Sequence, residues 1–186
     1  MKRFDAIQKI VECLNGELLI CNLGAPSREL FHIKDRDENF YMLGSMGLVS
    51  SLAFGLAISL PKTKVWCIDG DGSILMNLGC LTTIANNKPQ NLTLIIIDNS
   101  SYGSTGDQET YTSRNTKLDV IAKGAGFTSV IIIEKEEEII HNLKNLGRGC
   151  HFVLIKVNPG NAEVKNVLLR PEVIKNRFIK VIHNFN

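Results

Sequence analysis

A single doubly wound parallel sheet with helices on both faces, an α/β fold, is what this sequence of 186 residues predicts. Three observations predict it. Short apolar runs alternate with helix-period segments along the whole chain. The run Leu92-Thr-Leu-Ile-Ile-Ile97 is apolar on both faces, as a central parallel strand requires. Residues Gly, Asp, Asn and Ser cluster where such runs end, at 22–24, 43–47, 69–73 and 98–103. In an open parallel sheet that is the edge where ligands sit.

Each element has its own warrant. Phe4, Ile7, Ile10, Val11 and Leu14 keep the spacing of an amphipathic helix. Glu17 to Asn22 reads as a strand, ended by Gly24-Ala-Pro-Ser27, and Ser27 is placed to cap a short helix over Arg28–Phe31. Phe40 to Leu43 is the next apolar run, stopped by Gly44, and Met46 to Leu60 reads as a helix. The stretch 39–61 carries no charge and is long enough to cross a bilayer. Its four serines and three glycines fit a buried helix behind a tight turn better, so no membrane span is expected. Lys64 to Asp69 is a strand broken by Gly70-Asp71-Gly72, with a helix from about Ile74 to Asn86. After strand Leu92–Ile97 a polar loop runs from Asp98 to about Arg114. A helix (Leu118–Gly124), a strand (Ser129–Ile133), a helix (Lys135–Leu146), a strand (His151–Val157) and a helix (Pro171–His183) complete the alternation. The acidic run Glu134–Glu138 suits the positive end of the helix it opens. No linker interrupts the pattern, so residues 1–186 are expected to form one domain.

Composition removes several function classes. Twenty-one Lys and Arg against nineteen Asp and Glu leave +2, too balanced for an electrostatic nucleic-acid binder. At 44% hydrophobic residues with recurring apolar runs, the chain is not disordered. Five widely spaced cysteines, none in a CxxC pair, argue against a disulfide framework or a zinc site, and point to the cytoplasm. Asp5, Lys9 and Glu12 interrupt the region where an apolar leader would lie.

Ile68-Asp-Gly-Asp-Gly-Ser73 is the sharpest local signal. As a dinucleotide fingerprint it fails, since Leu75 stands where GxGxxG needs Gly or Ala. As a calcium loop it fails at Ile74 and Cys80, where Gly and Glu are required. A third reading is the DxDG(S/T) pattern of haloacid-dehalogenase-type phosphatases, with Asp69 as nucleophile and Asp71 as acid. That motif ordinarily ends the first strand, whereas two strand-like runs precede it here, and its downstream acidic pair is missing. The fourth reading joins Asp71 to Asn99, which stands at the end of the next strand with twenty-six residues between it and Gly72. Asp and Asn on adjacent strand ends can converge on one hard cation, such as Mg²⁺, that keeps positions open for phosphates. The intervening glycines let backbone N–H groups approach a diphosphate at the start of a helix.

A GDG followed at this distance by Asn resembles the signature of thiamine-diphosphate enzymes, and two further loops agree. Leu43-Gly-Ser-Met-Gly47 resembles the loop that holds the aminopyrimidine ring, and Asn99-Ser-Ser-Tyr-Gly103 resembles the metal-binding turn. The resemblance implies that Asp71, Asn99 and the carbonyl of Ser101 bind Mg²⁺. It implies that Gly70, Gly72 and Ser73 meet the diphosphate of thiamine diphosphate, with Tyr102 and Gly103 beside it. Gly44 and Ser45 would hold the pyrimidine, and Met46 would wedge the cofactor into its bent shape. Ser27-Arg-Glu-Leu30 and Tyr102-Gly-Ser-Thr-Gly-Asp-Gln108 extend the likeness to the decarboxylases of sulfopyruvate and phosphonopyruvate, over nearly the whole chain. Arg28, Ser104, Thr105 and Gln108 are the candidate substrate residues.

By that resemblance the chain is the diphosphate-binding (PP-type) subunit of a decarboxylase of a small anionic 2-oxoacid. Sulfopyruvate would give sulfoacetaldehyde and CO₂, a step toward coenzyme M. Phosphonopyruvate decarboxylation or an acetolactate-synthase-like activity are alternatives within the family. Activation in this family needs a Glu from a Pyr-type domain, and Glu29, Glu109 and Glu163 are poorly placed to serve. A Pyr-domain α subunit is therefore the expected partner, in an α₂β₂ or larger assembly.

Overall fold

The computed structural model describes residues 1–183; the last three residues of the expected domain 1–186 lie outside the described residues. In chain order the elements are α1 (Arg3–Cys13), β1 (Leu18–Cys21), α2 (Ala25–Ile33), β2 (Asn39–Tyr41), α3 (Val49–Ser59), β3 (Val65–Gly70), α4 (Asp71–Leu75) and α5 (Gly79–Asn87). There follow β4 (Asn91–Asp98), the two-residue strands β5 (Ser101–Tyr102) and β6 (Gln108–Glu109), and a 3₁₀ turn at Tyr111–Ser113. Then come α6 (Leu118–Ala125), β7 (Ser129–Ile133), α7 (Glu136–Lys144), β8 (Gly149–Lys156) and α8 (Pro171–His183). Six strands form one parallel sheet in the order β2-β1-β3-β4-β8-β7.

Side-chain alternation along the strands sorts the core into two layers. Leu18, Ile20, Val65, Cys67, Leu94 and Ile96 face α3, α5 and α6, while Leu19, Cys21, Trp66, Ile68, Ile95 and Ile97 face α1, α2 and α7. All eight residues of β4 are buried, which is why its sequence shows no polar face. Burial on both sides supplies the stability, at roughly 25 cal/mol per Å² of apolar surface. The chain leaves β1 toward β2 in one direction and β3 toward β4 in the other. A crevice therefore opens beyond the carboxyl ends of β1 and β3, where the strand order reverses.

Four local expectations are corrected. Ser27 does not cap α2: Gly24, at φ +80°, is the N-cap residue, and Pro26 fits the first turn with its fixed φ. Ser27 instead donates from Oγ to the carbonyl of Asn22 at 2.7 Å. The uncharged helix starts at Val49, because Ser45 and Gly47 take positive φ in a turn ahead of it. The expected helix 74–86 is two helices, α4 beginning at Asp71, joined by 3₁₀-type bonds from Met76, Asn77 and Cys80 N–H groups to the carbonyls three residues earlier. The polar loop after β4 contains the β5–β6 ribbon. Among the described residues, no helix is long and apolar enough to cross a membrane.

Candidate functional site

The crevice is walled by Asn22 from the end of β1, Gly70 to Ser73 from the β3–α4 turn, and Asn99, Ser101 and Tyr102 from the end of β4 and β5. Each wall is a strand end, so the parallel sheet brings together segments far apart in sequence. Met46, Ser104 and Thr105 stand at its rim, and Arg3 of α1 reaches it from below.

Asp71, Asn99 and Ser101 meet at its floor. One terminal atom of the Asn99 amide lies 3.0 Å from Asp71 Oδ1 and 2.9 Å from the carbonyl oxygen of Ser101. As nitrogen, that atom donates to both. As oxygen, it completes a trio of oxygens that only a cation can hold together. One carboxylate, one amide and one carbonyl are the hard donors that Mg²⁺ takes, so the residues present fit that ion. Among the described residues, no cluster of three or more His, Cys, Asp or Glu side chains assembles another metal centre. Asp71 is 1% exposed, and burial pushes its carboxyl up. Hydrogen bonds from Thr110 and Thr112 oppose that rise, and the neighbouring charge of Asp98 adds to it. A buried carboxylate in that position is stabilised by a cation at its free oxygen.

Asp69 is different. It is fully buried, and accepts hydrogen bonds from Ser50 Oγ of α3 at 2.9 Å and from the Gly70 N–H at 2.8 Å. Burial raises its pKa to about 6 against those bonds. Asp69 stands at the crevice wall, but its Oδ2 is taken by Ser50 and its Oδ1 by Gly70, so it ties α3 to the end of β3, an arrangement that speaks against the phosphatase reading.

The loop before α3 is fixed by contacts that sequence reading missed. Ser73 Oγ accepts the Gly47 N–H at 3.0 Å, and Asn77 Nδ2 donates to the Gly47 carbonyl at 3.0 Å. Gly47 is thereby clamped on both sides, which holds Met46 against the crevice. Gly44 and Ser45 are exposed and border a separate shallow groove with Phe40 and Pro171, so the structure does not bring them into the crevice. Gly72 lies under the Tyr102 ring: a Cβ there would sit 2.3 Å from Tyr102 Cε1. Gly103 gives its carbonyl to Asn161 Nδ2 at 2.7 Å.

The candidate substrate residues separate. Ser104 and Thr105 line the crevice. Gln108 turns back to donate to the Thr105 carbonyl at 3.2 Å, outside the lining. Arg28 points away, toward Asn166 at 3.4 Å. The cation that does reach the crevice is Arg3, held by Glu29 through Nε and Nη2 at 2.8 and 2.9 Å and by Asn161 at 2.6 Å. Nothing in the sequence spacing could have found it, since 26 residues separate it from Glu29 and 158 from Asn161.

Comparison with known proteins shows the family and the fold. Residues 26–157 match the family described as thiamine pyrophosphate enzyme, C-terminal TPP binding domain. The chain is 50% identical over 184 residues to the sulfopyruvate decarboxylase subunit beta of Methanocaldococcus jannaschii, covering 97% of each chain. It is 41% identical to the sulfopyruvate decarboxylase of Methanosarcina acetivorans over 96% of this chain and 46% of that one. Among solved structures, a 2-oxoglutarate:ferredoxin oxidoreductase from Magnetococcus marinus superposes with a TM-score of 0.70 at 16% identity, over 94% of this chain and 66% of that one. That last likeness is one of fold.

Proposed function

Because this chain belongs to the thiamine pyrophosphate enzymes, as their C-terminal TPP-binding domain, we propose that it is the PP-type subunit of a cytoplasmic, Mg²⁺-dependent decarboxylase converting sulfopyruvate to sulfoacetaldehyde and CO₂. The observation that carries the site is the convergence of Asp71 Oδ1, the Asn99 amide and the Ser101 carbonyl beside the Gly70–Ser73 turn. Asp71, Asn99 and Ser101 would hold Mg²⁺, and through it the diphosphate. Gly72 and Ser73 would meet the diphosphate by their N–H groups, which a first helical turn leaves without partners inside the helix. Met46, set by the Gly47 clamp, would bear on the bend of the cofactor. Thiamine diphosphate supplies a carbon nucleophile and an electron sink for the departing CO₂. The chain's own part is to hold that group in one geometry and to keep Ser104 and Thr105 beside the substrate.

The whole chain would be one PP-type domain, and the acid that activates the cofactor would come from elsewhere. Glu29 is spent on Arg3, and Glu109 faces solvent against Arg114. A Pyr-domain α subunit would supply that Glu from across the cofactor, in an α₂β₂ or larger enzyme. The match to 46% of the Methanosarcina relative leaves room in that chain for such a second half. The test is reconstitution. The purified chain alone, with thiamine diphosphate and Mg²⁺, should release no CO₂ from sulfopyruvate, and adding the α subunit should start release. Turnover by the chain alone, or turnover of phosphonopyruvate but not sulfopyruvate by the pair, would overturn the reading.

A further inference from the structure

Asp71 is the inner end of a buried hydrogen-bonded chain that leads away from the crevice. Its Oδ2 accepts from Thr110 Oγ1 at 2.5 Å and from Thr112 Oγ1 at 3.1 Å. Thr112 Oγ1 also lies 2.8 Å from Thr110 Oγ1 and 2.8 Å from Asp98 Oδ1. Asp98 Oδ2 closes on the ammonium of Lys156 at the end of β8. Asp71, Asp98 and Thr110 are each 1% exposed and Thr112 is 6% exposed, whereas the Lys156 side chain is 36% exposed. The Thr110 N–H donates to the Ser100 carbonyl at 3.1 Å, which pins both threonines to the turn that carries Asn99 and Ser101.

Counting protons decides how this chain works. Each threonine hydroxyl has one proton to donate. That of Thr110 goes to Asp71. Thr112 faces two carboxylates and the Thr110 oxygen and can serve only one of the three. Asp98 is already served, at Oδ2 by Lys156 and at Oδ1 by the Ser100 N–H at 3.0 Å and hydroxyl at 3.3 Å, so the Thr112 proton can go to Asp71, whose Oδ2 then holds two donors. The oxygen left over, Oδ1, is the one that faces Asn99 and Ser101. Asp98 and Lys156 together are neutral, so Asp71 carries the net charge of this buried group.

We propose that Thr110, Thr112, Asp98 and Lys156 are positioning residues for the divalent cation. They tie back one oxygen of Asp71, present the other, and let Lys156, which does not line the crevice, set the direction of the Thr112 proton. The inference rests on the reading of Asp71, Asn99 and Ser101 as the Mg²⁺ ligands. Without the Lys156 charge, Asp98 takes the Thr112 proton, and Asp71 keeps a single donor and swings.

The test measures how much Mg²⁺ is needed for half-maximal binding of thiamine diphosphate by the chain assembled with its α subunit, using equilibrium dialysis. Thr112→Val and Lys156→Met should each raise that concentration about 10- to 100-fold, the range found when outer hydrogen-bond partners of metal ligands are removed. Thr112→Ser, which keeps the hydroxyl, should stay close to wild type. The double variant should be no worse than Thr112→Val alone, because Lys156 acts through Thr112. Circular dichroism checks folding, and if Thr112→Val does not fold, Lys156→Met carries the test, since its ammonium lies near the surface. Wild-type Mg²⁺ demand in Lys156→Met, or effects that multiply in the double variant, would overturn the proposal. Asp71→Ala separates the two levels. No Mg²⁺-dependent cofactor binding by wild type sinks the metal-site reading and this inference together. Binding that is lost in Asp71→Ala yet unmoved in the other variants sinks the positioning layer alone.

Discussion

Gly72 and Tyr102 illustrate how closely single residues are matched at the crevice. A methyl group at position 72 would meet the tyrosine ring at 2.3 Å, far inside the roughly 3.5–4.0 Å at which carbon atoms attract. The ring is the softer partner, and the crevice it lines is the space into which it can swing. Gly72→Ala is therefore expected to leave the chain folded and to weaken thiamine diphosphate binding by at least about tenfold, or 1.4 kcal/mol, measured by cofactor titration of the assembled enzyme. Tyr102→Ala in the same chain should recover part of the loss, and undiminished affinity in Gly72→Ala alone would refute the argument. Asp71 and Asn99, as candidates whose chemistry is carried by their own type and spacing, could be picked out from the sequence, and Ser101, which offers a backbone carbonyl, only through the family resemblance. Arg3, Asn77, Thr110 and Thr112 could not, because each earns its place only through a partner far along the chain.

Whole elements are held in the same fashion. Helix α8 packs Ile174 and Phe178 inward, and Phe178 meets Phe40 of β2 at 5.3 Å between ring centroids. Arg177 on that helix grips Asp35 through two bonds, at 2.8 and 2.5 Å, and lies over the Tyr41 ring. Burial pushes the Asp35 carboxyl up, but hydrogen bonds from Arg177 and Tyr41 and the guanidinium charge together hold it below the usual carboxylate range. A carboxyl held low in the folded state adds stability above its unfolded value near 3.9, and loses it as pH falls through the folded value. The pair is partly exposed, so its contribution is discounted to about 1 kcal/mol or less. Asp35→Asn should lower Tm by up to about 2–4 °C at pH 7, and the gap to wild type should close below about pH 4. Thermal unfolding of both proteins from pH 3 to 7 checks it; a gap that is constant with pH would be the contrary result. The break between α4 and α5 belongs to this scale too. Gly79, a poor helix former, stands where α5 begins, and the Asn77 side chain just before it is turned to Gly47 and Ser51.

At the scale of the molecule, the crevice has an apolar border. Leu43, Leu48, Leu52 and Met76 are 54%, 48%, 38% and 61% exposed around the turn that carries Met46. Helix α3 is apolar nearly all round, although only Val49, Ser50, Ala53 and Ala57 of it are buried. The proposed α subunit must cover the crevice to reach the cofactor, and these side chains are where it would bear. Leu52→Glu should leave the isolated chain as stable as wild type, since the site is open to water, and should abolish co-elution with the α subunit on size exclusion. Normal co-elution would place the contact elsewhere.

The sequence by itself determined the class of fold and the edge at which the site lies. Alternation of apolar runs with helical periods depends on local geometry, and turn residues collect at strand ends whatever lies beside them. It also held the GDG turn and its distant Asn, because the proposed cation site demands particular donor types. What only the tertiary structure decided is which side chains complete that site. The order β2-β1-β3-β4-β8-β7 sets β8 beside β4, and so brings Lys156 to Asp98 across 58 residues of chain. It also left Arg28 and Gln108 outside the crevice and brought Arg3 in. A hydrogen bond needs its partners within about 3 Å, and distance along the chain carries no information on that scale until the sheet is assembled.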